Sequence, residues 1–334
     1  MKKLLGVILS VVMLISVVSL AGCGKAETLK FGLGVTSYIE NVKNADGDTN
    51  GATEATSTFA AVLLDGEGKI VKCAIDTAAH TLSFTSKGEY VEASEFKTKY
   101  EAGKNYGMVA YGGAKKEWFE QVDAFTALVA GKTLQDVKAL VSTNGKGNDE
   151  VVTAGCTIII TDFITALEKA VNNAADSSAT ADSTLKIGVI STQTGSKNAT
   201  AEADGVNEVD VTVTATALDK DGKIAAAKTD AIQVIANFNN KGVASTTANT
   251  AFTTKVEAGD NYGMKAYGQD LNGDGAVKEW YAQAAAFDNA CIGKTANDIS
   301  ALATEKGYGV DTLQSAGCTI NISDMVKAAV KAAK

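Results

Sequence analysis

The feature that most constrains this chain is an internal duplication. Residues 101–112 (EAGKNYGMVAYG) recur as residues 257–268 (EAGDNYGMKAYG), with ten of twelve positions identical. Three further segments recur in the same order: Leu29–Gly32 at 185–188, Gly131–Thr133 at 293–295, and Ala154–Thr157 at 316–319. The spacing is 156 residues up to residue 112 and 162 residues beyond it, which indicates a six-residue insertion within 269–275. A repeat of this length predicts two copies of one structural unit.

Each copy has the same predicted order of elements. In the first copy, apolar runs flank Asp65-Gly66-Glu67-Gly68, and shorter runs flank Lys87-Gly88, so both patterns predict hairpins. Apolar residues at helical spacing predict a helix over 116–128. The remaining predicted elements are a helix after Thr133, a short strand at 157–160, and a last helix with Thr161 as N-cap and Asp162 in its first turn. Hairpins followed by helices predict an α+β fold, with two tandem copies of a small domain of antiparallel sheet and packed helices.

The repeats and the composition around them divide the chain into five parts. We expect a signal peptide (1–22), a tether (23–28), module 1 (29–171), a linker (172–184) and module 2 (185–334). The segment 172–184 (NNAADSSATADST, with Thr184 last) is small, polar and without periodicity, which is typical of a flexible linker.

The N-terminal segment has the pattern of an export signal. Two lysines precede an apolar run from Leu4 to Leu20, and Leu20-Ala21-Gly22-Cys23 resembles a bacterial lipobox. The alternative is a plain transmembrane anchor, because a run of this length is at the lower limit for spanning a bilayer. The lipobox implies a diacylglyceryl group on Cys23, whose two chains would hold the protein on the extracytoplasmic face of the cell membrane.

Composition excludes several classes of function. The chain has 31 Lys+Arg, all of them lysine, against 39 Asp+Glu, for a net charge of −8. An acidic chain without arginine is a poor nucleic-acid binder, because phosphate contacts need local positive charge. His80 is the only histidine and lies in a stretch with turn character, so we interpret it as an exposed turn residue and exclude a Ser/His/Asp hydrolase. Gly131-Lys132-Thr133 lacks the upstream glycine of a phosphate-binding loop and is better read as a helix stop followed by a helix cap.

Two sets of residues remain as possible ligand or redox groups. Cys73 and Cys291 have no cysteine counterpart in the other copy, whereas Cys156 and Cys318 correspond, so free and mostly buried thiols are expected rather than disulfides. Asp270, Asn272 and Asp274 open a sequence similar to a calcium loop, although Tyr281 occupies the position of its closing acid. That segment predicts either a weak calcium site or an acidic hairpin loop.

The repeated Ala-Gly-Cys-Thr turn before a helix resembles the covalent FMN-binding domain. In that family a similar turn precedes an amphipathic helix, and a dedicated flavin transferase links FMN through its phosphate to the threonine. The likeness covers nearly all of the mature chain and is closest to the two-module flavinylated lipoproteins that serve extracellular electron transfer in Gram-positive bacteria. It implies covalent FMN on Thr157 and Thr319, with the turns formed by Gly155, Cys156, Gly317 and Cys318. It also implies a membrane electron donor and an extracellular acceptor such as ferric iron.

This chain departs from the family at the turn itself. Alanine replaces serine before the glycine, cysteine replaces alanine after it, and the acidic residue upstream, Asp149 or Asp311, lies further away than usual. A phosphoester requires only the threonine hydroxyl, and no nearby residue could activate it, which agrees with activation by a separate enzyme. The alternative interpretation of the tetrapeptide is the start of a buried strand.

An isoalloxazine ring requires aromatic or similarly polarisable neighbours. The repeated candidates are Tyr106, Met108, Tyr111 and Trp118 in module 1, with Tyr262, Met264, Tyr267 and Trp280 in module 2. Ordinary core packing is the alternative for the two tryptophans. Asn50-Gly51-Ala52-Thr53 imitates the attachment motif, but no helix follows and module 2 has no counterpart, so we exclude Thr53. These observations predict an electron-carrier lipoprotein, and a cell-surface binding or adhesion protein is the alternative.

Overall fold

The computed structural model describes residues 27–93, 95–268 and 275–334. The first half contains β1 (Lys30–Lys43), β2 (Gly51–Leu64), β3 (Ile70–Phe84), α1 (Lys99–Ala102), α2 (Trp118–Val129), α3 (Leu134–Lys138), α4 (Asp149–Ala154), α5 (Thr161–Asn172) and β4 (Ala175–Asp176). The second half contains β5 (Thr184–Thr192), β6 (Gly205–Leu218), β7 (Ile224–Phe238), α6 (Lys255–Ala258), α7 (Met264–Tyr267), α8 (Trp280–Cys291), α9 (Ala296–Ser300), α10 (Asp311–Ser315) and α11 (Ser323–Ala332). The predicted α+β class is confirmed.

Two antiparallel sheets form the centre of the molecule. Their strand orders are β3-β2-β1-β4 and β5-β6-β7. The predicted hairpin at 65–68 is confirmed, and Asp65 stabilises it because its Oδ1 accepts the backbone N–H groups of Glu67 at 2.9 Å and Lys69 at 2.8 Å. Asp219 performs the same role between β6 and β7, accepting from Asp221 and Lys223.

The residues of β2 are buried on both faces of the first sheet. Phe59, Ala61 and Leu63 point into a core shared with the second sheet, whereas Ala60 and Val62 point toward the helices of the first half. Since successive strand residues alternate between faces, this double burial explains why β2 ends in a continuous apolar run. The molecule therefore has four layers, in the order helices, sheet, sheet, helices.

The two sheets pack face to face in a reciprocal arrangement. β1 lies against β7, and its counterpart β5 lies against β3. The rings of Phe84 and Phe238 stack at a centroid distance of 4.7 Å, and each side chain is fully buried. Two backbone hydrogen bonds also cross between the halves, from Ala45 N–H to Gly242 O at 2.8 Å and from Ala199 N–H to Gly88 O at 2.7 Å. The interface thus uses equivalent residues from both halves, as a two-fold dimer interface does.

Close helix–strand contacts correct the alignment of the first repeated segment. A Cβ on Gly34 would collide with Ala166 O, and a Cβ on Gly188 would collide with the equivalent Ala328 O. Gly34 therefore corresponds to Gly188, and the predicted match of Leu29–Gly32 to Leu185–Gly188 is wrong by two residues. The three strands of each half correspond at a spacing of 154, and the loop after β3 restores the spacing of 156 at Thr98 and Thr254.

The segment predicted to be a flexible linker is part of the fold. Residues 175–176 form β4 and pair with β1, and Ala179 is fully buried. Leu29 is fixed from both sides, because its N–H donates to Ala179 O at 2.8 Å and its carbonyl accepts from Ser177 Oγ at 2.6 Å. Small polar residues occur in ordered surface segments as well as in flexible linkers, so the composition of 172–184 does not distinguish the two.

Several predicted elements differ from the structure. β3 runs unbroken to Phe84, and the segment after Lys87-Gly88 contributes only the single bridge from Phe84 to Tyr90 instead of a second strand pair. The helix over 116–128 is confirmed as α2, and Thr133 is confirmed as the N-cap of α3, accepting from Asp136 N–H. Thr161 is the first residue of α5 rather than its N-cap, whereas Asp162 lies in the first turn as predicted.

His80 is not an exposed turn residue. It lies in β3 with 4% of its surface exposed, and its Nε2 is 2.9 Å from Ser191 Oγ of the second half. Burial lowers the pKa of His80 to about 4. The four cysteines beyond Cys23 are free, as predicted. Among the described residues, no helix is both long enough and apolar enough to cross a bilayer. Cys23 and the signal segment lie outside the described residues.

Candidate functional site

The repeated Ala-Gly-Cys-Thr segment forms a sharp turn after a short helix. Ala154 ends α4, and Gly155 adopts φ +107°, a conformation that L side chains rarely adopt. A Cβ on Gly155 would also collide with the ammonium group of Lys116. Gly317 has φ +93° and the same close approach from Lys278, whose Nζ donates to Ala316 O at 2.8 Å. Glycine is therefore favoured at this position by the backbone conformation, whereas the flexible lysine side chain could move away from an added Cβ.

Replacing Gly155 with alanine is expected to destabilise the fold by about 1–3 kcal/mol, the usual cost of a residue held in a sparsely populated conformation. Gly66→Ala is the matched control, because Gly66 has no left-handed φ and an added Cβ would meet its nearest neighbour, Glu27 Oε1, only at 3.8 Å. The control should stay within about 0.5 kcal/mol of wild type. Urea unfolding measures both values, and equal stabilities for the two variants would contradict the conformational requirement.

Each turn ends in a threonine that a buried glutamine holds in place. The Oε1 of Gln121 accepts the backbone N–H of Thr157 at 2.9 Å and its hydroxyl at 3.0 Å. Gln283 holds Thr319 in the same way, at 2.8 and 3.3 Å. Both glutamines are at most 1% exposed. Their Nε2 groups donate to Lys116 O and Lys278 O, so that both ends of each amide are fixed.

The threonines do not begin a buried strand. Thr157 is exposed and Thr319 is half-buried. Of the predicted strand 157–160, only Ile159 pairs, through a single bridge to Lys146. The segment connects α4 to α5, and the Thr157 N–H is satisfied by a glutamine side chain rather than by a neighbouring strand. Cys156 and Cys318 are fully buried beneath the turns as small core residues, and burial raises the pKa of both thiols.

Thr157 lines a cavity of about 480 Å³. Three of the predicted ring contacts, Tyr106, Met108 and Trp118, line the same cavity. Its volume is within the range of small-molecule sites, which is roughly 300–1,000 Å³. Polar side chains from the sheet and from the loops complete the wall: Tyr38, Glu40, Thr56, Thr58, Thr77, Lys99, Lys146 and Asp162.

A buried glutamate fixes the loop that carries these contacts. The carboxylate of Glu117 accepts the backbone N–H groups of Met108 at 2.9 Å and Val109 at 3.3 Å. Above the loop, Lys99 Nζ lies 5.2 Å from the ring centroid of Tyr106 and 5.9 Å from that of Trp118. These are cation–π distances, so the lysine is held at the aromatic wall of the cavity.

The second half repeats this aromatic wall. Lys255 Nζ lies 5.0 Å from the ring centroid of Tyr262 and 5.7 Å from that of Trp280. Tyr262 and Met264 are partly buried against the core of the second half. In contrast, Tyr111 and Tyr267 are 91% and 90% exposed. The ring of Tyr111 covers Gly107, and that of Tyr267 covers the equivalent Gly263. Tyr111 does not line the cavity beside Thr157, so a ring contact by either exposed tyrosine stays a prediction.

A hydrogen-bonded pair borders the cavity on the sheet side. The Tyr38 hydroxyl donates to Asp162 Oδ2 at 2.8 Å. Burial raises the pKa of the Asp162 carboxyl, and the hydrogen bond from Tyr38 opposes that shift. Burial, together with the hydrogen bond to Asp162, raises the pKa of Tyr38. Neither residue was predicted to belong to this site, since Tyr38 lies in a strand far from Asp162 in the sequence.

The glutamines were also missed, although the sequence contains a signal for them. Lys-Glu-Trp-x-x-Gln occurs at 116–121 and again at 278–283, so the lysine, the glutamate at the helix N-cap, the tryptophan and the glutamine recur together. Thr53, which imitates the attachment motif, is fully buried in β2 and thus inaccessible to another enzyme. Its exclusion agrees with the structure.

The calcium hypothesis falls on a segment that the structure leaves out. Asp270, Asn272 and Asp274 lie outside the described residues, so calcium binding stays a prediction. Within the part of the chain that is described, no group of three His, Cys, Asp or Glu side chains is arranged to hold a metal ion.

Comparison with known proteins provides no family assignment. No family model, no curated protein and no solved structure matches this chain. The functional argument therefore depends on the geometry of the two turns and of the cavity beside Thr157.

Proposed function

We propose that the chain is an electron carrier with two covalent FMN groups, attached to Thr157 and Thr319. The observation that carries this proposal is the pair of equivalent threonine hydroxyls, each held by a buried glutamine at a glycine turn. The Thr157 side chain lines a ligand-sized cavity whose wall also contains aromatic and thioether side chains. An accessible hydroxyl next to such a space meets the needs of a tethered planar ring.

The attachment chemistry requires a separate enzyme. A phosphoester forms between threonine Oγ1 and the phosphorus of FMN, while the bond from that phosphorus to a leaving group on the flavin donor breaks. The hydroxyl proton must pass to a base, and among the described residues the side-chain acceptor of the Thr157 hydroxyl is the neutral amide oxygen of Gln121. A flavin transferase would therefore supply the base and the donor during maturation.

The residues around Thr157 suit a bound FMN. Lys116 lies beside Gly155, where its charge would offset that of the phosphodiester. Tyr106, Met108 and Trp118 would contact the ring, and Lys99 would add positive charge at the same wall. When bound, FMN accepts and releases electrons. The chain would then hold the ring at a fixed place in a rigid scaffold and exclude water from one of its faces.

Attachment to the membrane is the second part of the proposal. A lipid on Cys23 would keep the carrier near a membrane donor and let it reach an extracellular acceptor such as ferric iron. Cys23→Ala is expected to release the protein into the medium or to leave the precursor uncleaved, because two acyl chains provide the stable anchor. Cell fractionation with immunoblotting measures this, and membrane retention of a cleaved Cys23→Ala protein would contradict the lipid anchor.

The absorption spectrum of protein purified from its native host tests the cofactor proposal. Yellow protein that keeps its flavin after denaturation supports covalent attachment. Colourless protein from cells that contain a flavin transferase would favour the alternative of a binding or adhesion protein. Protein from a host without the transferase is the matched negative control.

A further inference from the structure

The two threonine sites are equivalent in fold, but their charges differ. Lys146 and Tyr308 occupy the same position, because Lys146 forms a bridge with Ile159 and Tyr308 forms the matching bridge with Asn321. Lys146 lines the cavity beside Thr157. An ammonium group at the first site is thus replaced by a neutral phenol at the second.

The other charged positions of the cavity are balanced between the sites. Lys99 corresponds to Lys255, and Asp162 corresponds to Asp324 in the first turn of the last helix. Each half also has one further carboxylate that accepts a hydrogen bond from a threonine. The two positions are equivalent, but the acid and the threonine have changed places between the halves. Thr56 Oγ1 donates to Glu40 at 2.7 Å in the first half, and Thr194 Oγ1 donates to Asp210 in the second. Because of Lys146, the first site has one more positive charge than the second.

The net charge of the segments that follow α1 and α6 and lead to α2 and α8 also differs between the halves, and it is again more positive in the first half. Residues 103–116 contain three lysines and no carboxylate. In the matching segment, the described residues 259–268 and 275–278 contain two lysines and one aspartate. The charge of the described residues is +3 in the first half and +1 in the second, so it has the same sign of difference as that due to Lys146.

We propose that Lys146 makes the first site the more oxidising of the two, so that a flavin on Thr157 has a higher reduction potential than a flavin on Thr319. This inference depends on the proposed function. Reduction by two electrons with uptake of one proton from solvent adds one negative charge to the ring. A nearby ammonium group stabilises that charge and thus favours the reduced form. Electrons from a donor would then pass from the second site to the first.

The test uses singly loaded proteins made with the flavin transferase. Thr319→Val leaves only the first site, and Thr157→Val leaves only the second, with loading checked by intact mass. Potentiometric titration with dithionite, followed by flavin absorbance, should give the higher midpoint potential for the protein loaded on Thr157. The difference should decrease at high salt, because exposed charges are screened.

Exchange variants then assign the difference to one residue. Lys146→Tyr should lower the midpoint of the first site, and Tyr308→Lys should raise that of the second. Lys241→Tyr, which changes an exposed lysine in the loop after β7, is the control and should leave both midpoints unchanged. Equal or reversed midpoints, or an unaltered midpoint in Lys146→Tyr, would overturn the inference while the flavins remain attached. Absence of flavin from every variant would instead overturn the proposed function.

Discussion

Thr157→Val and Thr319→Val should each remove one FMN from the protein, and the double variant should remove both. Valine has nearly the shape of threonine but no hydroxyl, so no phosphoester can form. Folding should change little, because Thr157 is exposed and Thr319 is half-buried. Each variant loses its hydroxyl hydrogen bond to the glutamine but keeps its backbone N–H bond to the same oxygen. Intact mass and flavin absorbance measure the number of groups.

Electron delivery to ferric iron should fall to background in the double variant while the protein stays on the cell surface. Thr153→Val is the matched control, because Thr153 is an exposed threonine in α4, four residues before Thr157. This variant should keep both flavins. Two flavins on the double variant would contradict the attachment sites. Loss of both flavins with undiminished iron reduction would contradict the carrier role but leave the cofactor assignment intact.

Phe84→Ala should destabilise the whole protein by about 3–5 kcal/mol, the range for truncating a buried phenylalanine. Phe84 is fully buried, and its ring stacks on Phe238 across the junction of the two halves. Because the sheets share one core, both halves should unfold together. Calorimetry should therefore give one cooperative transition for wild type and one, at lower temperature, for the variant.

Tyr111→Ala provides the control for this stability prediction. It also truncates an aromatic side chain, but Tyr111 is 91% exposed, so the change should stay within about 0.5 kcal/mol. Two separate transitions, with only the first-half transition shifted in Phe84→Ala, would contradict the shared core. They would favour two independent domains, as the predicted flexible linker implied.

Local patterns in the sequence were sufficient to predict some elements. Asp65 and Gly68 specify their hairpin through hydrogen bonds within five residues, including the one from Gly68 N–H to Asp65 O. The helical spacing of Trp118, Val122 and Phe125 predicts α2, because one face of that helix packs against the sheet. The signals for these elements lie within a single element or turn, so no tertiary information is needed to find them.

The features that were missed depend on contacts between distant segments. His80 looks exposed in a small, polar stretch, but the second half covers it and places Ser191 beside it. Gln121 acquires its role only when α2 brings it to Thr157, 36 residues later in the chain. The alternating pattern of β1 is obscured by glycines such as Gly34, which are present because α5 passes directly over the strand. Each of these features becomes clear only once the layers are assembled.

The intact mass of protein purified from its native host tests the central proposal most directly. We expect the mass of the processed, lipidated chain plus two FMN phosphoester groups, with peptide mapping that places one group on Thr157 and the other on Thr319. A chain without flavin, in a host that flavinylates other proteins, would contradict the proposal. Flavin attached to any other residue would contradict the assignment of these two turns.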